Sequence, residues 1–143
     1  MEGLLAPVVD EVSQPFWDGA AAGELLVQAC GGCHRLRFPP RPMCPWCHSL
    51  DVAWQRMSGR GAIYSFVVPH PPLLPAYAEV APFNVILVAL DEDPTIRIVG
   101  NLVTAADAAI NSVDPATIEI GERVQVVFAQ VDEITVPRWV RQS

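Results

Sequence analysis

The 143-residue sequence contains no lysine, and all nine of its cationic side chains are arginines. Its formal net charge is −7 at pH 7. Because a protein that neutralises nucleic-acid phosphates needs a cationic face, this balance argues against a general nucleic-acid binder. No apolar run approaches the ~18 residues that a membrane-spanning helix needs. Residues 1–14 also lack the basic start of a secretory signal. We therefore expect a cytoplasmic protein that does not contact the membrane.

The sequence also lacks the common catalytic motifs. It has no Gly-x-Ser-x-Gly elbow, no P-loop and no Gly-x-Gly-x-x-Gly run. A catalytic centre needs a nucleophile or base, an orienting group and an electrostatic stabiliser in one pocket, and no such set can be assembled from these residues. His70 is the only histidine outside the cysteine region, and it is either a surface residue or an acid or base. We predict no catalytic residue, and so no enzyme activity of the chain on its own.

Cysteine is scarce, and its placement is informative. The sequence has four cysteines in two C-x-x-C pairs: Cys30 with Cys33, and Cys44 with Cys47. Four thiolates at this spacing suit a structural zinc ion, whose binding energy would hold together a ribbon too small to fold alone. A histidine follows each pair, so c-type haem attachment is a formal alternative, and a redox dithiol is another. We favour Zn²⁺, with His34 and His48 as turn residues that tolerate a positive φ.

The hydrophobic pattern divides the chain into three parts. Residues 1–24 form an N-terminal arm and a short helix that begins near Ser13, residues 25–58 form a zinc ribbon, and residues 59–143 form a barrel. Five strands are predicted in the barrel, over 62–68, 83–90, 95–102, 123–131 and 134–140, with a helix over 105–111. A mainly-β, five-stranded order with a short helix between strands 3 and 4 is that of an OB-fold. An SH3-like barrel usually lacks this helix and is the second choice.

Two segments outside the cysteines suggest binding. The loop over residues 69–82 is rich in proline and apolar residues, so it suits either a hydrophobic ligand or partner, or a role as a cover over the barrel end. Five of the nine arginines lie between Arg35 and Arg60, against the single acid Asp51. This locally basic ribbon is either a solvated face or a site for an anion such as a cofactor phosphate.

These residues together resemble a known family. The segments that carry the resemblance are Phe16-Trp17, the two cysteine pairs, Arg37-Phe38-Pro39-Pro40-Arg41, Gly61-x-Ile63-Tyr64-Ser65, His70, Pro82-Phe83-Asn84-Val85, Gly100-Asn101-Leu102 and Ile120-Gly121-Glu122-x-Val124. The pattern is similar to the OB-fold acyl-CoA-associated family with a rubredoxin-like zinc ribbon, long called "domain of unknown function 35". Glycine commonly stands where this chain has His34 and His48, and tyrosine where it has Phe83.

The resemblance implies a non-catalytic accessory subunit in a hetero-oligomer. Its partner would be a thiolase-fold thiolase, a thiolase-like aldolase of the kind found in steroid side-chain degradation, or an acyl-CoA hydratase. The barrel would help to form the partner's acyl-CoA channel. The implied metal ligands are the four cysteines, and the implied acyl-CoA or partner-binding residues are Phe16, Trp17, Arg41, Tyr64, Phe66, His70, Tyr77 and Phe83. The alternative function is a single-stranded nucleic-acid binder that stacks bases on Tyr64, Phe66 and Phe83; a stand-alone thioester enzyme ranks last.

Overall fold

The computed structural model describes residues 4–142. An N-terminal helix, α1 (Gln14–Ala21), precedes the three ribbon strands β1 (Leu25–Cys30), β2 (Leu36–Arg37) and β3 (Val52–Met57). The barrel strands are β4 (Arg60–Val67), β5 (Val85–Leu90), β6 (Arg97–Gly100), β7 (Arg123–Val131) and β8 (Ile134–Arg141). A short helix, α2 (Pro75–Ala78), lies between β4 and β5, and a 3₁₀ turn (Pro115–Thr117) lies between β6 and β7.

The five barrel strands form a nearly closed sheet. Their order is β6-β5-β4-β7-β8, and each pair of neighbours is antiparallel. The two edges meet through a parallel bridge between Leu102 and Trp139. There the Trp139 N–H donates to the Asn101 carbonyl at 3.0 Å, and the Val103 N–H donates to the Trp139 carbonyl at 2.8 Å. This topology confirms the predicted mainly-β OB-fold.

The ribbon and the barrel share one hydrophobic core. Alternate residues of β5 point inward, as the two-residue period of a strand requires, and Ile86 and Val88 are fully buried. Leu25 and Val27 of the ribbon strand β1 join the same cluster of buried side chains. Phe16 from α1 also packs into it. Burial of this apolar surface therefore holds helix, ribbon and barrel together.

Helix α1 begins next to Ser13, as the sequence predicts. Ser13 occupies the N-cap position without a capping hydrogen bond from its side chain. Its hydroxyl instead donates to Asp10 Oδ1 at 2.7 Å and accepts from Trp17 Nε1 at 3.2 Å. Gly23, just after the helix, has φ +79° and donates its N–H to the Ala20 carbonyl.

The predicted helix over 105–111 is wrong in position. That segment consists of turns, and the short helical turn between β6 and β7 is Pro115–Thr117, where the Asp114 side chain accepts from the Ala116 N–H at 3.0 Å. Within these turns the Thr104 N–H donates to Ser112 Oγ at 3.1 Å. An isolated helix of this length is marginal, and the turns instead bury Ile110.

No helix within residues 4–142 is both long enough and apolar enough to cross a bilayer.

Candidate functional site

The ribbon brings all four cysteine sulfurs to one point. The sulfurs of Cys30, Cys33, Cys44 and Cys47 lie within 4.8 Å of one another. The Cys30 and Cys47 sulfurs are 3.4 Å apart, and those of Cys33 and Cys44 are 3.7 Å apart. A tetrahedral site with metal–sulfur distances of about 2.3 Å has sulfur–sulfur edges of about 3.8 Å. The four side chains therefore form a metal site. Neither haem attachment nor a redox dithiol requires four sulfurs at this spacing.

Each cysteine pair sits in a tight turn that points backbone N–H groups at a sulfur. The N–H groups of Gly32 and Cys33 approach Cys30 Sγ at 3.2 and 3.4 Å, and the Cys47 N–H approaches Cys44 Sγ at 3.5 Å. Both turns end at a residue of left-handed conformation: φ is 65° at His34 and 62° at His48. The histidines are thus turn residues, as predicted, and neither belongs to the cluster of metal-ligating atoms.

The electrostatics of the four thiols favour a bound cation. Backbone hydrogen bonds, chiefly from the Cys33 N–H, lower the pKa of Cys30 to about 6. The Ser49 N–H acts to lower the pKa of Cys47, but the neighbouring sulfurs and burial outweigh it and raise that pKa to about 11. The Cys30 thiol therefore ionises easily, and the Cys47 thiol resists ionisation. A divalent ion between them would stabilise all four thiolates.

A second candidate site is an apolar cleft of about 670 Å³ beside the barrel. Its walls come from the arm over residues 4–8, the start of α1, the link over residues 38–40 and the barrel strands β5, β6 and β8. Of the described residues that line it, Arg138 alone carries a formal charge. Cavities of this size and polarity are typical small-molecule sites.

The apolar loop over residues 69–82 covers this end of the barrel. Its Leu73 and Tyr77 pack against a second cluster of buried side chains that includes Leu4 and Phe83. The Tyr77 ring centroid lies 5.8 Å from that of Phe83, and the Tyr77 hydroxyl accepts from the Leu5 N–H at 3.1 Å. The loop therefore holds the N-terminal arm against the barrel, in agreement with the covering role considered above.

The structure divides the predicted ligand and partner residues into two groups. Phe16, Trp17, Tyr77 and Phe83 line the cleft. The remaining four lie outside it, and each has a local role. The Arg41 N–H donates to Gln28 Oε1, and Phe66 packs on the main core. The Tyr64 ring lies 3.8 Å from the Arg97 guanidinium. The His70 ring lies 2.7 Å from the Val68 carbonyl oxygen.

The aromatic residues expected to stack nucleic-acid bases do not form a common platform. Phe83 is buried, Phe66 is half-buried, and Tyr64 is exposed with Arg97 on its ring. A stacking site needs exposed rings along a basic groove.

Sequence reasoning missed Arg138 and the N-terminal arm. Arg138 lies in β8 between the buried Pro137 and Trp139, and it is itself only 3% exposed. Burial lowers the pKa of its guanidinium. An arginine between apolar neighbours inside a predicted strand, as Arg138 is within 134–140, is a readable signal. The N-terminal arm gives no such signal, because it reaches the cleft through contacts that are distant in sequence.

Two of the resemblance segments meet at the cleft. The Asn84 side chain donates to the Leu102 carbonyl at 2.9 Å and accepts from the Leu102 N–H at 2.7 Å, so it acts as a short piece of strand. At Gly100, a Cβ would lie 2.9 Å from the Trp139 ring. The Asn84 amide and the lack of a side chain at Gly100 together allow β6 to pack against β8.

Comparison with known proteins identifies the family. The model described as "ChsH2, rubredoxin-like zinc ribbon domain" matches residues 17–53, and "ChsH2, C-terminal OB-fold domain" matches residues 54–129. This chain belongs to the ChsH2-like DUF35 family. The boundaries predicted for the N-terminal arm and helix, the ribbon and the barrel, at residues 24/25 and 58/59, stay a prediction.

Individual members of the family extend the comparison. The chain is 32% identical over 105 residues to a "DUF35 domain-containing scaffold protein" of Methanothermobacter thermautotrophicus, covering 73% of this chain and 71% of the relative. It is 30% identical over 138 residues to the "3-oxo-4,17-pregnadiene-20-carboxyl-CoA hydratase alpha subunit" of Mycobacterium tuberculosis, covering 96% of this chain and 40% of the relative. The chain spans about two fifths of the length of the hydratase subunits it matches.

A solved structure titled "Ltp2-ChsH2(DUF35) aldolase" has the same fold. The TM-score is 0.80 at 33% sequence identity, and the match covers 95% of this chain and 98% of the other.

Proposed function

We propose that this chain is a non-catalytic accessory subunit that binds a thiolase-fold thiolase or aldolase and helps to form its acyl-CoA channel. The observation that carries the proposal is the full-length likeness to the DUF35 chain of an aldolase assembly. The relative named a scaffold protein supports the same role. A hydratase subunit is the second possible partner, since another relative is named as part of a hydratase.

The cleft supports this role because its chemistry is that of binding. Apolar side chains provide most of its lining, and its ring-bearing residues Phe16, Trp17, Tyr77 and Phe83 offer a surface to an apolar acyl group. The relative that acts on a pregnadiene-carboxyl-CoA suggests a steroid acyl group as one candidate. Arg41, Tyr64, Phe66 and His70 remain proposed contacts to the partner, since they lie outside the cleft.

We also propose that the metal is zinc. Four thiolates in a closed tetrahedral arrangement suit Zn²⁺ and leave no coordination position for substrate. The ion would fix the two cysteine turns and take no part in the reaction. Elemental analysis should find one zinc per chain, and Cys44→Ser should lower this content because it removes a buried ligand. A full zinc content in that variant would rule out Cys44 as a ligand. Free thiols of this kind persist in the reducing cytoplasm, which we propose as the location.

Affinity capture tests the partnership. The tagged chain, expressed in its native host, should retain a thiolase-fold or hydratase-fold protein in a fixed ratio through size-exclusion chromatography. The tag alone serves as the control. If the chain elutes without a partner even at protein concentrations above the micromolar dissociation constants of weak complexes, the proposal is contradicted.

A further inference from the structure

The barrel strands β4, β5 and β6 carry an apolar surface on their outward side. Ile86, Val88 and Leu90 of β5 point into the core, so the residues between them point outward. Strand pairing brings outward residues of β4 and β6 beside them. We call this surface the outer face; it consists of Ser65 and Val67 of β4, Val85, Leu87 and Ala89 of β5, and Arg97 and Val99 of β6.

The composition of the outer face is unusual for the solvent side of an antiparallel sheet. Such a side is normally polar, because only the opposite side packs on the core. Here five of the seven residues are aliphatic, and Val67 and Val99 are 59% and 55% exposed. A contiguous apolar surface of this kind marks an interaction site.

The outer face has one charged side chain, Arg97. Its guanidinium lies 3.8 Å from the centre of the Tyr64 ring, which is half-exposed beside the face. The ion pairs within residues 4–142 involve Arg56, Arg123 and Arg141, so Arg97 has no carboxylate partner in this part of the chain. Stacking occupies the flat side of a guanidinium, and its in-plane N–H donors stay available to an acceptor.

A protein surface suits the outer face better than a nucleic acid or a second copy of this chain does. Strands 2 and 3 of an OB-fold, here β5 and β6, form the side on which such barrels bind oligonucleotides. A phosphate backbone needs several cations along that side, and the outer face offers Arg97 alone. A second copy in a two-fold contact would bring a second Arg97 and no carboxylate. The matching surface is therefore apolar and supplies an aspartate or a glutamate.

The outer face is continuous with the apolar cleft, because Val85 and Val99 belong to both. A subunit that covers the outer face would therefore also border the cleft. This continuity selects the partner proposed above, since a channel shared by two subunits requires them to meet beside it.

We propose that the outer face is the docking surface for the thiolase-fold partner, whose own surface is apolar there and places a carboxylate on the Arg97 guanidinium. Burial of the aliphatic side chains supplies affinity, and the charged pair supplies orientation. The inference rests on the proposed function and deepens it by naming the surface and the chemistry of the partner's side.

The test repeats the affinity capture with variants of the full chain. Val67→Glu puts a charge on the outer face at a position outside the cleft lining. It should lower the amount of thiolase-fold protein retained per chain about tenfold or more, because an unpaired charge would be buried in an apolar contact. Leu50→Glu is the control, since Leu50 is 72% exposed in the ribbon. It should change the amount less than about twofold.

Variants of Arg97 test the charged pair. Arg97→Glu should lower retention of the partner, because it places two carboxylates together. Arg97→Lys should keep most of it, because the cation remains. If the parent chain retains no thiolase-fold protein, the thiolase partnership and this inference both fail. If the parent retains one and Val67→Glu retains it equally, or Leu50→Glu loses it to the same extent, the inference alone is overturned.

Photo-crosslinking keeps the test valid if a charged variant does not fold. The crosslinking residue p-benzoylphenylalanine replaces Tyr64 beside the outer face or, as the control, Trp46 of the ribbon, which are 49% and 50% exposed. Position 64 should link to the thiolase-fold protein in higher yield than position 46. A link from position 64 to a second copy of this chain or to nucleic acid, or a yield no higher than that of position 46, would refute the outer face as the docking surface.

Discussion

Asn84 is fully buried, and its amide makes both of the hydrogen bonds that a neighbouring strand would make to Leu102. Buried polar groups cost free energy unless they are paired, so the amide and the Leu102 backbone depend on each other. The two segments that include these residues, one at the start of β5 and one after β6, are thereby joined at the point where the barrel closes. The contact between Asn84 and Leu102 thus gives a structural reason why the family resemblance includes both segments.

We expect Asn84→Ala to lower the free energy of unfolding by about 2–4 kcal/mol, because it leaves the Leu102 N–H and carbonyl buried and unpaired. Urea denaturation at saturating metal measures this loss. Asn111→Ala, at an exposed position in the turns after β6, should change stability little. Equal effects of the two substitutions would show that the Asn84 amide does not stabilise the closure.

The positive φ of His48 gives a second prediction at the residue scale. A left-handed conformation costs a residue with a Cβ roughly 1–2 kcal/mol, and glycine avoids this cost. His48→Gly should therefore keep its metal and show equal or greater stability, as judged by elemental analysis and thermal unfolding. His48→Val is the control, since a β-branched residue is strained at φ 62° and should destabilise the turn. Loss of the metal in His48→Gly would instead make the histidine a ligand.

At the scale of elements, strand bounds were the most predictable feature. The sequence pattern predicted β7 to the residue, because it is a continuous run of strand-forming residues between turns. The helix over 105–111 was wrong because local alanine content competed with burial of Ile110. The cleft could not be predicted, since Leu4, Phe83 and Pro137 meet there only after the barrel has closed.

The two cysteine turns are the elements that depend on the metal. They project from the ends of strands whose inner residues belong to the shared core, so the core has support that the turns lack. We expect a strong chelator to increase amide hydrogen exchange over residues 30–37 and 44–51 while β5 and β7 stay protected. Exchange is measured by mass spectrometry, with the metal-restored protein as the control. Uniform loss of protection across the barrel would contradict this division.

The turn between β5 and β6 is attached to β7 by an ion pair with a defined pH dependence. The Arg123 guanidinium, through its hydrogen bond to the carboxylate, lowers the pKa of Asp91 below 3.8. Because the folded-state pKa is the lower one, the stabilisation is complete above the unfolded-state pKa and is lost as pH falls through the folded-state value. Asp91→Asn should therefore reduce stability at pH 7 and flatten its dependence on pH below about 4. Denaturant midpoints measured from pH 7 to 2.5 test this, with Glu133→Gln as control. If Asp91→Asn leaves the pH dependence of stability unchanged, the Asp91–Arg123 ion pair is not formed in solution.

At the scale of the whole molecule, one core joins the helix, the ribbon and the barrel, and the apolar cleft lies where these parts meet the N-terminal arm. Neither cysteine pair is among the described residues that line this cleft. The resemblance predicted the family and the accessory role from the sequence, and the family is confirmed. The ligand and partner residues stay a prediction, since half of those named from sequence lie outside the cleft.

The most direct test of the accessory role is a reconstituted activity assay. The captured thiolase-fold partner is assayed with acyl-CoA substrate at increasing amounts of the metal-loaded chain. We predict no turnover by this chain alone, slow turnover by the partner alone, and a rise that saturates at a fixed molar ratio. Turnover by the isolated chain, or a partner rate that does not respond to its addition, would contradict the account.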